Sequence, residues 1–246
     1  GVGAIALFSL AGGWALAFYV LNPFSFFLDR TILMEPVLNT AMILFMVTSL
    51  RAVKRTSKAA LVATGLTTAL MLAAKQTAIL ILPMQLATMR NKRVSLVVVI
   101  SGVILVGLAL KFTLLWDTAA MHTTTALDLV RIKANLWLMA KWLIAYWTWL
   151  IVPVVILGWR WKWVLAVAYF VLVFAVVGWT LFPRYLLILV PWVSLIVAQT
   201  ARSFWGKALL ILLLAIFVRR DVTILLNPDR AILARETRYQ FWEDWV

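Results

Sequence analysis

Long apolar runs separated by short charged breaks organise the chain. The runs cover about 1–21, 31–50, 59–74, 76–89, 94–116, 136–158, 163–181, 184–201 and 206–220. Most approach the roughly 20 residues a helix needs to cross the hydrocarbon core of a bilayer. The pattern predicts an all-α, polytopic transmembrane helical bundle of about nine spans. Residues 1–220 would be its membrane core, and the charged, aromatic stretch 221–246 the start of an outer-face domain. The runs 59–74 and 76–89 are short for spans. They read as a tight pair meeting at Lys75, or as one long broken helix with its second half kinked at Pro83. The segment 117–135 is the one sizeable internal loop. Gly1–Leu21 carries no basic leader, so it reads as neither a signal peptide nor a natural start, and the chain is expected to begin mid-protein.

Composition supports a membrane setting. The 246 residues are 65% hydrophobic and only 13% charged, with a mean hydropathy of +1.02. Soluble domains carry about 25% charged residues. The absence of cysteine excludes disulfides, thiolate metal sites and a cysteine nucleophile. A net charge of +14 raises nucleic acid as a partner. The basic residues, however, form short clusters between apolar runs, which is the pattern of membrane topology signals.

Those clusters predict orientation. Arg51, Lys54, Arg55, Lys58, Arg90, Lys92, Arg93, Arg160, Lys162, Arg202 and Lys207 fall in loops without acidic residues. Asp29, Glu35, Asp117, Asp128, Asp221, Asp229, Glu236, Glu243 and Asp244 fall in the alternate set. The positive-inside rule puts the basic set in the cytoplasm. The expected localisation is a cell membrane, multi-pass, with the C-terminal tail outside. Parity requires the chain to turn back at Lys75; a single span over 59–89 would put Arg51 and Arg90 on opposite sides. Many of the 14 tryptophans, such as Trp147, Trp149, Trp159, Trp161 and Trp163, read as interfacial anchors, with sugar stacking as the alternative.

Lys75 is the most informative position. No other charge lies between Lys58 and Arg90. A charge at the bilayer centre costs ~2.5–3.5 kcal/mol on insertion scales, so intramembrane charges usually serve a site. Asp29-Arg30 begins a span on the outer side, with Glu35 about one and a half turns further. That group reads as a structural ion pair, or as a phosphate or metal site. Pro183-Arg184-Tyr185 opens another span at the same face, where Arg184 is either a snorkelling anchor or a fork of donors for phosphate oxygens. Arg30, Lys75 and Arg184, three separate cations on one face, point to a shared anion site more strongly than any one of them does. Gly65, Ala69 and Ala73 recur every four residues and read as a close-packing helix face. His122 is the single histidine, and with no cysteine it reads as a loop residue rather than a zinc ligand. No phosphate-binding loop, dinucleotide fingerprint or nucleophile elbow is present.

Four stretches carry a resemblance. LDRTILMEPVLNTAMILFMVTSLRAVKR, ALVATGLTTALMLAAKQTAILILP, FPRYLLILVPWVSLIVA and NPDRAILARETRYQFWEDWV resemble, in that order, elements of the type C membrane glycosyltransferases. The branch is that of the protein O-mannosyltransferases and the lipid A aminoarabinose transferase. The resemblance covers most of the chain. It implies a polyprenyl-phosphate-linked sugar donor, a protein or glycolipid acceptor, and an active site at the outer membrane face. It further implies that Lys75 lies near the lipid phosphate, with Arg30, Arg184 and Tyr185 contributing and Asp29, Glu35 and His122 in supporting places. No cofactor is fixed, and a divalent metal is left open. The family's catalytic carboxylate lies in a first outer loop, so the general base is expected upstream of Gly1, and this stretch alone is expected to bind without turnover. A transporter or flippase for a lipid-linked or anionic substrate is the reading from a different class, since broken helices and intramembrane charge mark those proteins too. A purely structural subunit is a third. The sugar, the acceptor and the oligomeric state are not legible here.

Overall fold

A computed structural model describes residues 2–28, 34–55, 57–74, 78, 82–83, 92–112, 128–177 and 183–226. The described residues are helical throughout, with no strand among them. The helices are α1 (Val2–Ala11), α2 (Gly13–Leu21), α3 (Pro23–Leu28), α4 (Met34–Arg55), α5 (Lys58–Ala74), α6 (Lys92–Phe112), α7 (Leu129–Trp147), α8 (Ile151–Leu157) and α9 (Trp161–Val177). A 3-10 helix, η1 (Pro183–Leu189), leads into α10 (Val190–Thr200), and α11 (Phe204–Leu226) follows. The helical bundle foreseen from the apolar runs is therefore present. Of the nine foreseen spans, one described helix, Pro36–Lys54, is long and apolar enough to cross a membrane, or two if the bent pair α7–α8 counts as one span.

Packing sets the direction of each element. α4 and α5 form an antiparallel hairpin whose register is marked by Thr48 and Thr67, with hydroxyls 3.2 Å apart. The buried hydroxyls of Thr64 and Thr68 donate back to Ala60 O and Thr64 O at 2.8 Å, so no polar atom there needs a distant partner. A Cβ on Gly65 would lie 3.1 Å from Ser101 Oγ and 3.2 Å from Val97, and one on Gly102 would lie 3.9 Å from Leu72. Residue numbers thus rise together on α5 and α6, so the two run parallel. Lys92 consequently lies at the end of the bundle where α5 begins, and α5 ends at Ala74, immediately before Lys75. The run 76–89 lies mostly outside the described residues, and with it the turn at Lys75 that the charge parity requires. Gly65 and Ala69 face α6 as the small-residue stripe predicts, whereas Ala73 is exposed.

α10 is the central helix: every residue from Val190 to Val197 is buried. A helix apolar on all sides belongs in a core. The fully buried Trp192 packs on Trp163 and Phe170, at ring separations of 5.8 and 5.9 Å. Phe18 packs between Phe217 and Trp147 at 5.6 and 5.9 Å. Trp147 is therefore core, with only 2% of its surface exposed, and not the interfacial anchor its position suggested. Trp149, Trp159 and Trp161 are exposed, as anchors would be.

Two predicted spans are broken. In 1–21 the break falls at Gly12, whose φ of 81° suits glycine and few other residues. Gly3 packs on Thr40 of α4, and the Tyr19 hydroxyl meets Asn39 beside it. Both ends of the run close on one stretch of α4, which a straight rod of this length cannot do. In 136–158 the break falls at Thr148, a β-branched residue at φ 63° that closes α7 with a bond from its N–H to Ile144 O. Helices α7 and α8 meet there at 90°. α7 also begins inside the predicted loop 117–135, because Asp128 caps it by accepting from the N–H groups of Val130 and Arg131 at 3.0 and 3.3 Å. The span 206–220 is longer than expected, since α11 continues to Leu226.

Close approach decides which glycines matter. A Cβ on Gly158 would collide with Thr200 Oγ1 and Ile196 O, whereas one on Gly13 would have a single neighbour, Phe8, at 4.0 Å. Overpacking of this kind typically costs ~1–3 kcal/mol, and alanine in an open helical site stabilises by about 0.5–1 kcal/mol. Gly158→Ala is therefore expected to lower the thermal midpoint of the detergent-solubilised protein, and Gly13→Ala to hold or raise it. Equal midpoints for both variants would contradict this packing.

Candidate functional site

One end of the bundle collects the elements that carry the predicted site. Asn22 ends α2 by donating its N–H to Phe18 O, and starts α3 by accepting from Phe24 N at 2.9 Å. Pro23 at the first helical position needs no partner for an N–H, which suits this tight junction. α3 ends at Leu28 and α4 starts at Met34, so Asp29-Arg30 lies between two placed helices. η1 packs on both α3 and α4, which brings the backbone of Arg184 and Tyr185 to this junction. Tyr185 is half-buried, its ring stacked on Phe174 at 5.7 Å and 9°. Because α5 runs antiparallel to α4, its terminal residue Ala74 lies at the same end, one residue before Lys75.

Lys75, Asp29, Arg30 and His122 themselves lie outside the described residues, and only the backbone is described for Glu35 and Arg184. Glu35 is the second residue of α4, one helical turn before Asn39. What the structure places is thus part of the frame: η1 packs on α3 and α4, and α5 ends alongside the first half of α4. Among the described residues, no group of three or more histidine or acidic side chains is placed to hold a metal ion.

Beneath this frame is a set of buried polar side chains that pattern reading missed. Asn39 is 1% exposed and donates Nδ2 to the Tyr19 hydroxyl at 3.1 Å. Its Oδ1 has no hydrogen-bond partner, and neither do Asn22 Nδ2 and Ser25 Oγ, in residues that are 0% and 4% exposed. Buried polar atoms are nearly always bonded. Ser49 Oγ and the indole N–H groups of Trp147 and Trp192 are also unbonded, but Asn22, Ser25 and Asn39 are the ones on the elements that flank the α3–α4 connection. Asp221, buried in α11, and Arg220, beside it and near Tyr146, add charge to the same end. A signal for these residues exists in the chain. Asn22, Asn39 and Asp221 are strongly polar positions in or beside otherwise apolar runs, where such residues stand out against their neighbours.

The arrangement offers hydrogen-bond donors and acceptors in a dry setting, under a junction whose connections carry cations. Chemically, that suits an anionic head group with hydroxyl-bearing neighbours. Comparison of the chain with protein-family models, curated proteins and solved structures finds no match in any of the three.

Unpartnered buried hydroxyls destabilise, because each loses its bonds to water without replacement, at about 1–3 kcal/mol. Ser25→Ala is therefore expected to raise the thermal midpoint of the ligand-free protein. A fall in midpoint would mean that the Ser25 hydroxyl already has a partner, and that the site beneath the junction is closed.

Proposed function

We propose that the protein is a multi-pass membrane glycosyltransferase that uses a polyprenyl-phosphate-linked sugar, with its site at the outer membrane face. The observation that carries this reading is the packing of η1 on α3 and α4, at the same end as the close of α5. It supports the convergence of Arg30, Lys75 and Arg184 at one junction. The order of the family-like stretches in the sequence supports it independently. So do the exposed aliphatic side chains Ile5, Val62, Leu66, Leu96, Ile104 and Ile211, which suit lipid better than water.

The roles follow from charge. Displacing a sugar from a phosphate builds negative charge on the departing phosphate oxygens. Preorganised cations in a water-poor site stabilise that charge at little reorganisation cost. Lys75, Arg30 and Arg184 take this role, the arginines as forked donors and the lysine as a point charge. Tyr185, Asn22, Ser25 and Asn39 hold hydroxyl and phosphate groups by hydrogen bonds. The acceptor hydroxyl or amine attacks the anomeric carbon and releases a proton, which a carboxylate has to take. Asp29 and Glu35 support the cations rather than serve as that base.

A second reading has its own observation. Half-helices meeting at Gly12 and at the 90° bend after Thr148 are the kind of break that transporters place beside a substrate. A flippase for the same lipid-linked sugar would use the same cations. Proteoliposomes loaded with polyprenyl-phosphate sugar and a peptide or glycolipid acceptor separate the two. In a protein that also carries the upstream carboxylate loop implied by the resemblance, transfer of the sugar, lost in Lys75→Ala and Arg184→Ala, is the expected result, whereas residues 1–246 alone are expected to bind polyprenyl phosphate without transfer. Movement of intact lipid-linked sugar between leaflets without transfer overturns the enzyme reading in favour of the flippase.

Topology is tested separately. The basic loops are proposed to be cytoplasmic and the α3–α4 junction outside. Single cysteines at Ser57 and Thr124, in a chain that has none, are expected to react with an impermeant thiol reagent from opposite sides of sealed vesicles. Reaction of both from one side contradicts the topology.

A further inference from the structure

Helix α7 is two-faced along its whole length. Asn135, Met139, Trp142 and Tyr146 are buried at intervals of three or four residues. Val130, Lys133, Trp137 and Lys141 are exposed on the opposite face, and the Lys141 ammonium sits 5.2 Å from the Trp137 ring centre. The helix has no acidic residue, and the carboxylate just before it, Asp128, is engaged in capping. A basic and aromatic stripe opposite an anchored apolar face is the signature of a helix that lies in a membrane surface.

Its contacts agree with that orientation. Near its start, Arg131 Nη2 and Asn135 Nδ2 donate to Val176 O and Ala175 O in the last turn of α9. At its finish, Tyr146 and Trp147 pack on Phe24 of α3 at 5.3 and 5.7 Å. α9 leads to η1, and η1 packs on α3, so both ends of α7 meet the same end of the bundle. The 90° bend then redirects the chain into α8. Upright, α7 would carry exposed Lys141 about 18 Å from its start, near the middle of the hydrocarbon. Insertion scales disfavour that by a factor on the order of a hundred. Lying flat, Lys133 and Lys141 stand about 12 Å apart at one depth, with the indole of Trp137 between them at the level such rings prefer.

We propose that α7 lies along the membrane surface at this end of the bundle, and that the Lys133–Trp137–Lys141 stripe binds the phosphate groups of anionic phospholipids. The charge of the stripe selects the occupant: two exposed ammonium groups with no carboxylate beside them among the described residues fit a phosphodiester and not an apolar protein face. The inference does not depend on the transferase reading, since it concerns a different face of a different helix.

The test uses the full chain in nanodiscs of mixed phosphatidylglycerol and phosphatidylcholine. Nitroxides at single cysteines replacing Lys133, Trp137 and Lys141 are expected to report the same shallow depth by oxygen and nickel relaxation. A depth that changes steadily by about 12 Å from 133 to 141 overturns the proposal. So does a label shielded from both relaxers, which would mean that protein covers the stripe. Native mass spectrometry supplies the second arm. Retention of phosphatidylglycerol over phosphatidylcholine is expected to fall about fivefold per lysine lost in K133Q and K141Q, and to survive in K133R/K141R. Unchanged selectivity in the double glutamine variant overturns the headgroup contact.

Discussion

A polar group inside an apolar bundle has to find a partner or leave, and that constraint explains most of this architecture. Threonines of α5 satisfy it locally by bonding back along their own helix. Asn22 satisfies it by closing one helix and opening the next. Charges satisfy it by moving to the ends: Arg51 and Lys54 lie at the far end of α4 from Glu35, and the parallel run of α5 and α6 returns Arg93 to that end. The constraint is left unmet at Asn22, Ser25 and Asn39, on the elements that flank the α3–α4 connection, and also at Ser49 and at the indole N–H groups of Trp147 and Trp192.

Much of this was legible in the chain. Runs of apolar residues announce helices because only a helix satisfies its own backbone in an apolar medium. The apolar run that stops before Lys75 anticipated where α5 ends. The breaks were not legible. A run such as 136–158 is uniformly apolar, and nothing in its hydropathy reveals that Thr148 takes a positive φ and turns the chain through 90°. Gly12 is a weaker case, since a glycine within an apolar run is as common in packed helices as at bends. Trp147 shows the same limit: tryptophan near a predicted span end suggests an anchor, and only packing on Phe18 and Phe24 reveals a core residue.

The candidate site divides in the same way. Its proposed cations, Arg30, Lys75 and Arg184, are named from the sequence because a charge in an apolar run stands out; the first two lie outside the described residues, and only the backbone of the third is described. Its uncharged polar lining was not legible, because single asparagines and serines carry little weight until burial is known. Together they suit a phosphate at the mouth and hydroxyl-bearing groups below, as a lipid-linked sugar presents them. The helix α7, crossing the same end with its lysines outward, would fix that mouth at the level of the headgroups.

The central claim is that separate stretches of chain supply cations to one phosphate. It is tested most directly by the affinity of polyprenyl phosphate for the protein, for Lys75→Ala, for Arg184→Ala and for the double variant. Groups that share a ligand are coupled, with interaction energies of about 0.5–3 kcal/mol, whereas distant groups add. The account predicts that each single change weakens binding and that the double change costs clearly less or more than their sum. Strict additivity, or full affinity in either single variant, would contradict it.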